Sequence, residues 1–364
     1  MIHRFHAICP YFAMFPETFP ETWISRLTAQ GDLVMDPFAG RGTTPFQALL
    51  MGRRGLGADI NPVASCITRA KLRAPRKQTV LTRIDRLEGE FETGRFAAAA
   101  AELPPFFHAA FHPRTLEQIL YLRETLQWRG TDSDSMIAAL ILGRLHGETK
   151  KSRHYLSAQM PRTISPKPEY ALRFWKEHGY QAPERDVFSF LREQLEFRYA
   201  SAPPPNKGRS MLTDVRCLPQ AARAYSGQVT CAITSPPYLD TTRYEEDQWL
   251  RLWFLGGEPR PTYTRVSRDD RHANRERYWA FIGHMWQALG EMLAPKGYVV
   301  VRLGGRRLEP EDIVDGLTGS TQVCSRTVHL VEHEVSPIGT KQTHAFRPGS
   351  KGCAYEVDCV FRMD

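Results

Sequence analysis

The sequence predicts an α/β fold: a mostly parallel sheet, an antiparallel pair of strands at its C-terminal end, and a helical insert. Three observations predict it. The apolar run Leu33-Val34-Met35 leads through a glycine-rich turn and a helical stretch into a second run, Gly55 to Ile60; this is a βαβ unit, whose crossover implies parallel pairing. Buried-strand signals return at 229–233 and 297–303. Between about 66 and 205 convincing strand signals give way to helical periodicity rich in Leu, Ala, Phe and Arg.

Each element follows from its own pattern. Residues 17–30 alternate charged and apolar positions as a short helix does, ending near Gly31-Asp32. A helix from about Thr44 to Met51 follows the first glycine turn, and Gly52-Arg53-Arg54 closes it. The proline-rich stretch Ala202 to Gly208 reads as the linker that returns the chain to the sheet. Arg209 to Asp214 reads as a short strand, Pro219 to Tyr225 as a short helix and Val229 to Ile233 as a strand. The stretch Leu239 to Arg277 is charged and aromatic, and Arg260, Arg265, Arg268, Arg271 and Arg275 make it a candidate mobile loop over a nucleic acid. Tyr278 to Leu293 is an amphipathic helix, Gly297 to Leu303 a buried strand and Glu311 to Leu317 a short helix; 328–335 and 354–362 close the sheet as an antiparallel pair. No internal repeat is visible. The expected organisation is thus a sheet domain of residues 1–66 and 206–364, with a helical insert at 67–205.

Charge narrows the partners. Lys plus Arg exceed Asp plus Glu by 48 to 40, giving +8, and the pI near 9.2 favours a polyanion. Seven scattered cysteines without a CxxC pair point to neither a zinc cluster nor a disulfide framework, so no metal is expected. No apolar run approaches the roughly 18 residues of a membrane span, and the expectation is a soluble intracellular protein without membrane contact.

Two segments carry chemistry. Asp36-Pro37-Phe38-Ala39-Gly40-Arg41-Gly42-Thr43-Thr44 lets backbone N–H groups approach a ligand without Cβ obstruction, and Asp59, ending the next strand, is placed to accept from two ribose hydroxyls. Asp36 is placed to meet a positively charged amino group. A nucleoside carrying an amino acid fits this pattern better than a dinucleotide, which would want G-x-G-x-x-G. At the end of the run Val229 to Ile233, Thr234-Ser235-Pro236-Pro237-Tyr238 offers a hydroxyl, a rigid carbonyl and an aromatic face, the equipment that holds a flat base by its exocyclic amine. The only Cys-Pro neighbour pair is Cys9-Pro10, the reverse of the Pro-Cys expected of a thiolate-using C5-cytosine enzyme.

DPFAGRGTT, the following GADINP and the later TSPPY resemble the S-adenosylmethionine-dependent amino-methyltransferases of DNA, which modify cytosine N4 or adenine N6. The resemblance covers roughly residues 5–66 and 209–305 and implies a Rossmann-like methyltransferase sheet with S-adenosyl-L-methionine as cofactor. It implies cofactor contacts for Tyr11, Phe15, Asp36, Pro37, Phe38, Gly40, Gly42, Thr43, Thr44, Asp59, Ile60, Asp214 and Thr234. Ser235, Pro236, Pro237 and Tyr238 take the catalytic part, with Tyr238 stacking on a flipped base. Serine before PPY, and the continuation through Trp249, Leu252 and Phe254, lean toward cytosine N4; adenine N6 is the alternative, and an RNA or protein amino-methylase or a silent DNA-binding relative are more distant ones. The implied partner is double-stranded DNA, with a cognate restriction endonuclease as a further candidate, in the cytoplasm of a bacterial, archaeal or phage-host cell, as monomer or homodimer.

The insert interleaves cations with aromatics between Leu145 and Trp175. It is expected to serve as the target-recognition region, with DNA contacts at Lys150, Lys151, Arg153, His154, Arg162 and Lys167, joined by Arg243, Arg268 and Arg271 outside it.

Overall fold

A computed structural model describes residues 2–11, 14–239, 244–262, 274–305, 308–338 and 354–364. The chain divides into two units: residues 14–68, 206–242 and 266–364 form the first, and residues 1–13, 69–205 and 243–265 the second.

The first unit holds a seven-stranded sheet. Its strands are β1 (Leu33–Asp36), β2 (Arg54–Asp59), β3 (Arg209–Leu212), β4 (Val229–Thr234), β5 (Leu293–Gly304), β6 (Val328–Pro337) and β7 (Tyr355–Met363), in the order β3-β2-β1-β4-β5-β7-β6. Strands β3, β2, β1, β4 and β5 run parallel, while β7 is antiparallel to both β5 and β6. This is a Rossmann-like α/β sheet with a reversed penultimate strand, and the order turns back on itself between β1 and β4.

Both faces are covered, which is why the central strands read as unbroken apolar runs. Alternate residues serve opposite faces. Leu33, Met35, Ala232, Val299, Val301 and Phe361 join one core with Trp286 and Ile282 of the helix Arg275–Met292. Val34, Cys231, Ile233, Val300 and Val360 join a second core with Phe19, Trp23 and Ile24 of the helix Thr18–Leu27. The ring of Trp286 meets Phe361 edge-on at 4.9 Å while its Nε1 donates to Ser320 Oγ at 2.9 Å, so this large core side chain leaves no polar atom unpaired. Helix Thr43–Leu50 lies so close to β2 that a Cβ on Gly55 would come within 2.2 Å of the Pro45 carbonyl oxygen.

The second unit is helical, with an isolated bridge between Gly147 and Gln159. Its caps follow the sequence: Thr131 accepts from Asp134 N at 3.1 Å and Asp186 from Ser189 N at 2.8 Å. One sequence expectation is corrected here. Part of the stretch anticipated as a mobile loop, Trp249–Phe254, is a helix whose Trp249, Leu250, Trp253 and Phe254 are buried. Phe107 packs against Trp253 at a tilt, ring centroids 4.4 Å apart, and the buried Arg251 donates to the carbonyls of Leu142 and Arg162 at 2.9 and 2.7 Å. Apolar burial and two satisfied carbonyls outweigh the charged composition that marked the stretch as a loop.

Candidate active site

Parallel strands deliver their C-terminal ends to one rim, and the candidate residues collect there. Asp36 ends β1, Asp59 ends β2, Asp214 lies two residues beyond β3, and Thr234 ends β4. The two halves of the sequence signal meet directly: Thr234 Oγ1 donates to Asp36 Oδ1 at 2.6 Å across the switch point between β1 and β4. Phe38 N donates to the same oxygen at 3.0 Å. The other carboxylate oxygen, Asp36 Oδ2, is buried without a hydrogen-bond partner. Burial pushes the Asp36 carboxyl up from 3.8 to about 7, against the hydrogen bonds of Thr234 and Phe38, with the Asp59 charge adding to the rise. Thr44 opposes the rise only weakly, and its own Oγ1 forms no hydrogen bond of normal geometry in its buried position.

The glycine turn is held rigidly around this carboxylate. Gly42 is left-handed (φ 72°), and a Cβ there would approach Thr68 Oγ1 to 2.6 Å, so glycine is required on both counts. Thr68 Oγ1 in turn donates to the Gly40 carbonyl at 3.0 Å. Asp59 Oδ2 accepts from Gly40 N and Oδ1 from Asn61 N, each at 2.8 Å, which fixes the carboxylate at the strand end. Beside it, Ile60 is 46% and Leu212 39% exposed, large apolar side chains at the ends of neighbouring strands.

The remaining expected cofactor residues are spread more widely. Pro37 and Thr43 are buried, Phe38 is half-buried against Phe281 at 5.7 Å, and Phe15 packs edge-on against Phe19 at 4.9 Å. Tyr11 belongs to the helical unit. Asp214 is past the strand end expected for it and starts a short 3-10 turn, accepting from Arg216 N at 2.9 Å and from the Arg216 guanidinium at 2.9 and 2.6 Å.

In the TSPPY segment Pro236 is buried, and Ser235, Pro237 and Tyr238 are half-buried. Ser235 Oγ donates to Tyr238 Oη at 3.4 Å, and Tyr238 Oη donates to Glu356 Oε1 at 3.3 Å. Glu356 was not singled out by sequence reasoning. Its signal was there: Glu356 and Asp358 alternate with apolar residues in a buried strand, and Arg302 interrupts the run Val299-Val300-Val301 on β5.

Of the expected DNA contacts, Lys150, Lys151, Arg153, Arg162 and Lys167 are exposed in the helical unit and His154 is half-buried. Lys151 pairs with Glu148 at 3.0 Å, His154 with Glu193 at 3.6 Å, and Lys150 lies over the Tyr180 ring at 4.7 Å. Among the interleaved aromatics, Trp175 and Tyr155 are core residues, as is His146, so they offer no stacking face; Tyr170, 56% exposed, does. Arg243, Arg268 and Arg271 lie outside the described residues. No group of three or more His, Cys, Asp and Glu able to hold a metal occurs among the described residues, and no described helix is long and apolar enough to cross a membrane.

Comparison with known proteins bears on part of this rim. Residues 4–68 match the N6/N4 methyltransferase family model, described as DNA methylase. The Type II methyltransferase M.MjaII of Methanocaldococcus jannaschii is 39% identical over 67 residues, which make up 18% of this chain and 13% of that protein. Among solved structures, a 16S rRNA adenine N1-methyltransferase of Catenulisporales acidiphilia gives a TM-score of 0.35 at 10% identity, covering 96% of this chain and 92% of that one. An S-adenosylmethionine-dependent methyltransferase of Methanosarcina mazei gives 0.37 at 7% identity, covering 96% and 98%. These fits leave the fold assignment to the strand order itself. Over residues 4–68, which hold Asp36, the Gly40–Gly42 turn and Asp59, the chain is similar to DNA methylases.

Proposed function

We propose that this protein transfers a methyl group from S-adenosyl-L-methionine to an exocyclic amine of a base in double-stranded DNA, the N4 of cytosine. The observation that carries the reading is the Thr234–Asp36 hydrogen bond, because it ties the base-holding segment to a buried carboxylate that lacks a partner on one oxygen.

The rim fits such a cofactor. An ammonium group against Asp36 Oδ2 would supply the missing partner, and its positive charge would oppose the rise that burial gives the carboxyl. Asp59 would take the ribose hydroxyls, and Ile60 with Leu212 would give a flat ring apolar cover. Asp214 would keep its adenine role by accepting on an oxygen already shared with Arg216. When bound, the cofactor supplies an electrophilic methyl carbon: the N–C bond forms as the C–S bond breaks, and the surplus amine proton passes to solvent.

This chain's residues prepare the amine for that step. A base amine is a poor nucleophile because its lone pair is delocalised into the ring. Ser235 Oγ and the Pro236 carbonyl accept its two N–H groups and favour a pyramidal nitrogen. Consecutive prolines have fixed φ and hold the carbonyl rigidly. Tyr238 offers its ring to a base that has left the duplex. Alignment and the discharge of a cation supply most of the acceleration. The helical unit, with exposed Lys150, Lys151, Arg153, Arg162 and Lys167, supplies phosphate contacts for target recognition. Adenine N6 is the second reading, because the family model matched over residues 4–68 embraces both amines.

The test is incubation with tritiated S-adenosylmethionine and, separately, duplex DNA, structured RNA or protein, followed by nucleoside analysis of the labelled product. N4-methylcytosine in duplex DNA is expected, abolished by Ser235→Ala with cofactor binding intact. N6-methyladenine would shift the base, label confined to RNA or protein would overturn the substrate, and unchanged transfer by Ser235→Ala would overturn the site.

A further inference from the structure

We infer that Glu356 is a positioning residue for methyl transfer: through Tyr238 it turns the Ser235 hydroxyl proton away from the substrate, so that Ser235 meets the base amine as an acceptor. The inference rests on the reading above and deepens it.

The sheet explains how so distant a residue reaches the site. Because β7 runs antiparallel to β5, with Glu356 opposite Gly304, its first residues lie at the rim where the parallel strands finish. There Glu356 Oε1 accepts from Tyr238 Oη at 3.3 Å, and Tyr238 Oη accepts from Ser235 Oγ at 3.4 Å. Both are long for O–H···O bonds, as catalytic hydrogen bonds commonly are before substrate binds.

A carboxylate fixes the polarity of this chain because it only accepts. Tyr238 has a single proton, and once Glu356 takes it the phenol oxygen can only accept from Ser235. The Ser235 proton is then committed, and its lone pairs face the amine. Without the carboxylate the phenol is free to donate to Ser235, whose own proton then turns outward and competes for the nitrogen lone pair that must attack.

Arg302 favours the acceptor form of Glu356. Arg302 Nη1 lies 3.2 Å from Glu356 Oε2 while Nε and Nη2 fork onto Asp358 at 2.6 and 2.7 Å. The guanidinium is fixed from the other side by the Phe19 ring, 3.8 Å from its centroid. Burial leaves the Glu356 carboxyl raised from its ordinary value, with Arg302 opposing that rise and the Asp358 charge adding to it.

Tyr238→Phe keeps the ring and removes the hydroxyl; Glu356→Gln keeps the shape and removes the charge. With tritiated S-adenosylmethionine and unmethylated plasmid DNA of mixed sequence, each is expected to slow the single-turnover step about tenfold, the worth of one hydrogen bond. Affinities for DNA and cofactor should stay within about twofold, so the loss falls in the chemical step. The double variant should be no slower than either single one, because both act on the same proton. Single-turnover rates within about twofold of the parent for both variants, beside a dead Ser235→Ala, overturn this inference and leave the methyl-transfer reading standing. A double variant slower by the product of the two singles also overturns it. Should Glu356→Gln unfold because Arg302 loses a partner, Glu356→Asp keeps the charge and shortens the reach, and the same comparison with Tyr238→Phe applies. If Ser235→Ala transfers like the parent, the underlying reading is what has failed.

Discussion

Asp36→Asn should make the ligand-free protein more stable at neutral and alkaline pH while destroying its capacity for cofactor. The carboxyl is fully buried and its pKa is pushed up from 3.8 to about 7, the opposite of the usual depressed aspartate. Below 3.8 the group is protonated in the folded and the unfolded chain alike, and it adds no pH dependence. Between 3.8 and about 7 the unfolded chain has released the proton and the folded chain retains it, so rising pH favours unfolding. Above about 7 both forms are ionised and the cost levels off. Counted over the whole shift, at roughly 1.4 kcal/mol per unit, the cost reaches about 4 kcal/mol as an order of magnitude. Asparagine cannot ionise, and its carbonyl oxygen can still accept from Thr234 Oγ1 and Phe38 N, as Asp36 Oδ1 does at 2.6 and 3.0 Å. Urea unfolding of parent and variant at closely spaced pH isolates the effect, because titrations common to both cancel. The variant's advantage should grow by a few kcal/mol between about pH 4 and 7 and then stay flat. A difference constant across that window would refute the burial argument.

Other outcomes follow from the same rim. S-adenosylmethionine affinity, measured by calorimetry, should weaken as pH falls below about 7, because an ammonium partner needs Asp36 ionised; Asp59→Ala should weaken it at every pH. Gly55→Ala should cost at least about 2 kcal/mol in urea midpoint analysis, the range of overpacked cores, since its Cβ would lie 2.2 Å from the Pro45 carbonyl oxygen. Alanine at Lys150, Lys151 and Arg153 together should reduce DNA affinity and lower the slope of log affinity against log salt by about 0.9 for every phosphate no longer neutralised; an unchanged slope would remove these residues from the interface.

The centre of the sheet was legible because strands such as Leu33-Val34-Met35 and Val229 to Ile233 are short, apolar and buried on both faces. The reach of Asp36 to Thr234 was legible only as two separate motifs, since the two lie 198 positions apart. Less was visible where charge is buried. The charged stretch 239–277 reads as a mobile loop, yet the guanidinium of Arg251 within it finds carbonyls inside the helical unit. Arg302, Glu356 and Asp358 were passed over because each looks misplaced alone; only the register of β5 against β7 makes them compensate one another. Asp214 was read as a strand end, but its side chain caps a turn and holds Arg216, a local bond that ends the strand early.

The reversed strand β7 also makes β6 a dependant. Among the described strands β6 hydrogen-bonds to β7 and to no other, so it cannot join the sheet without β7, and loss of β7 from β5 carries β6 away with it. Opening of β7 from β5 would withdraw Glu356 from Tyr238 in the same motion. Amide exchange along β7 and integrity of the hydroxyl chain are therefore coupled quantities, and loosening of that strand would be felt at the sheet's working end.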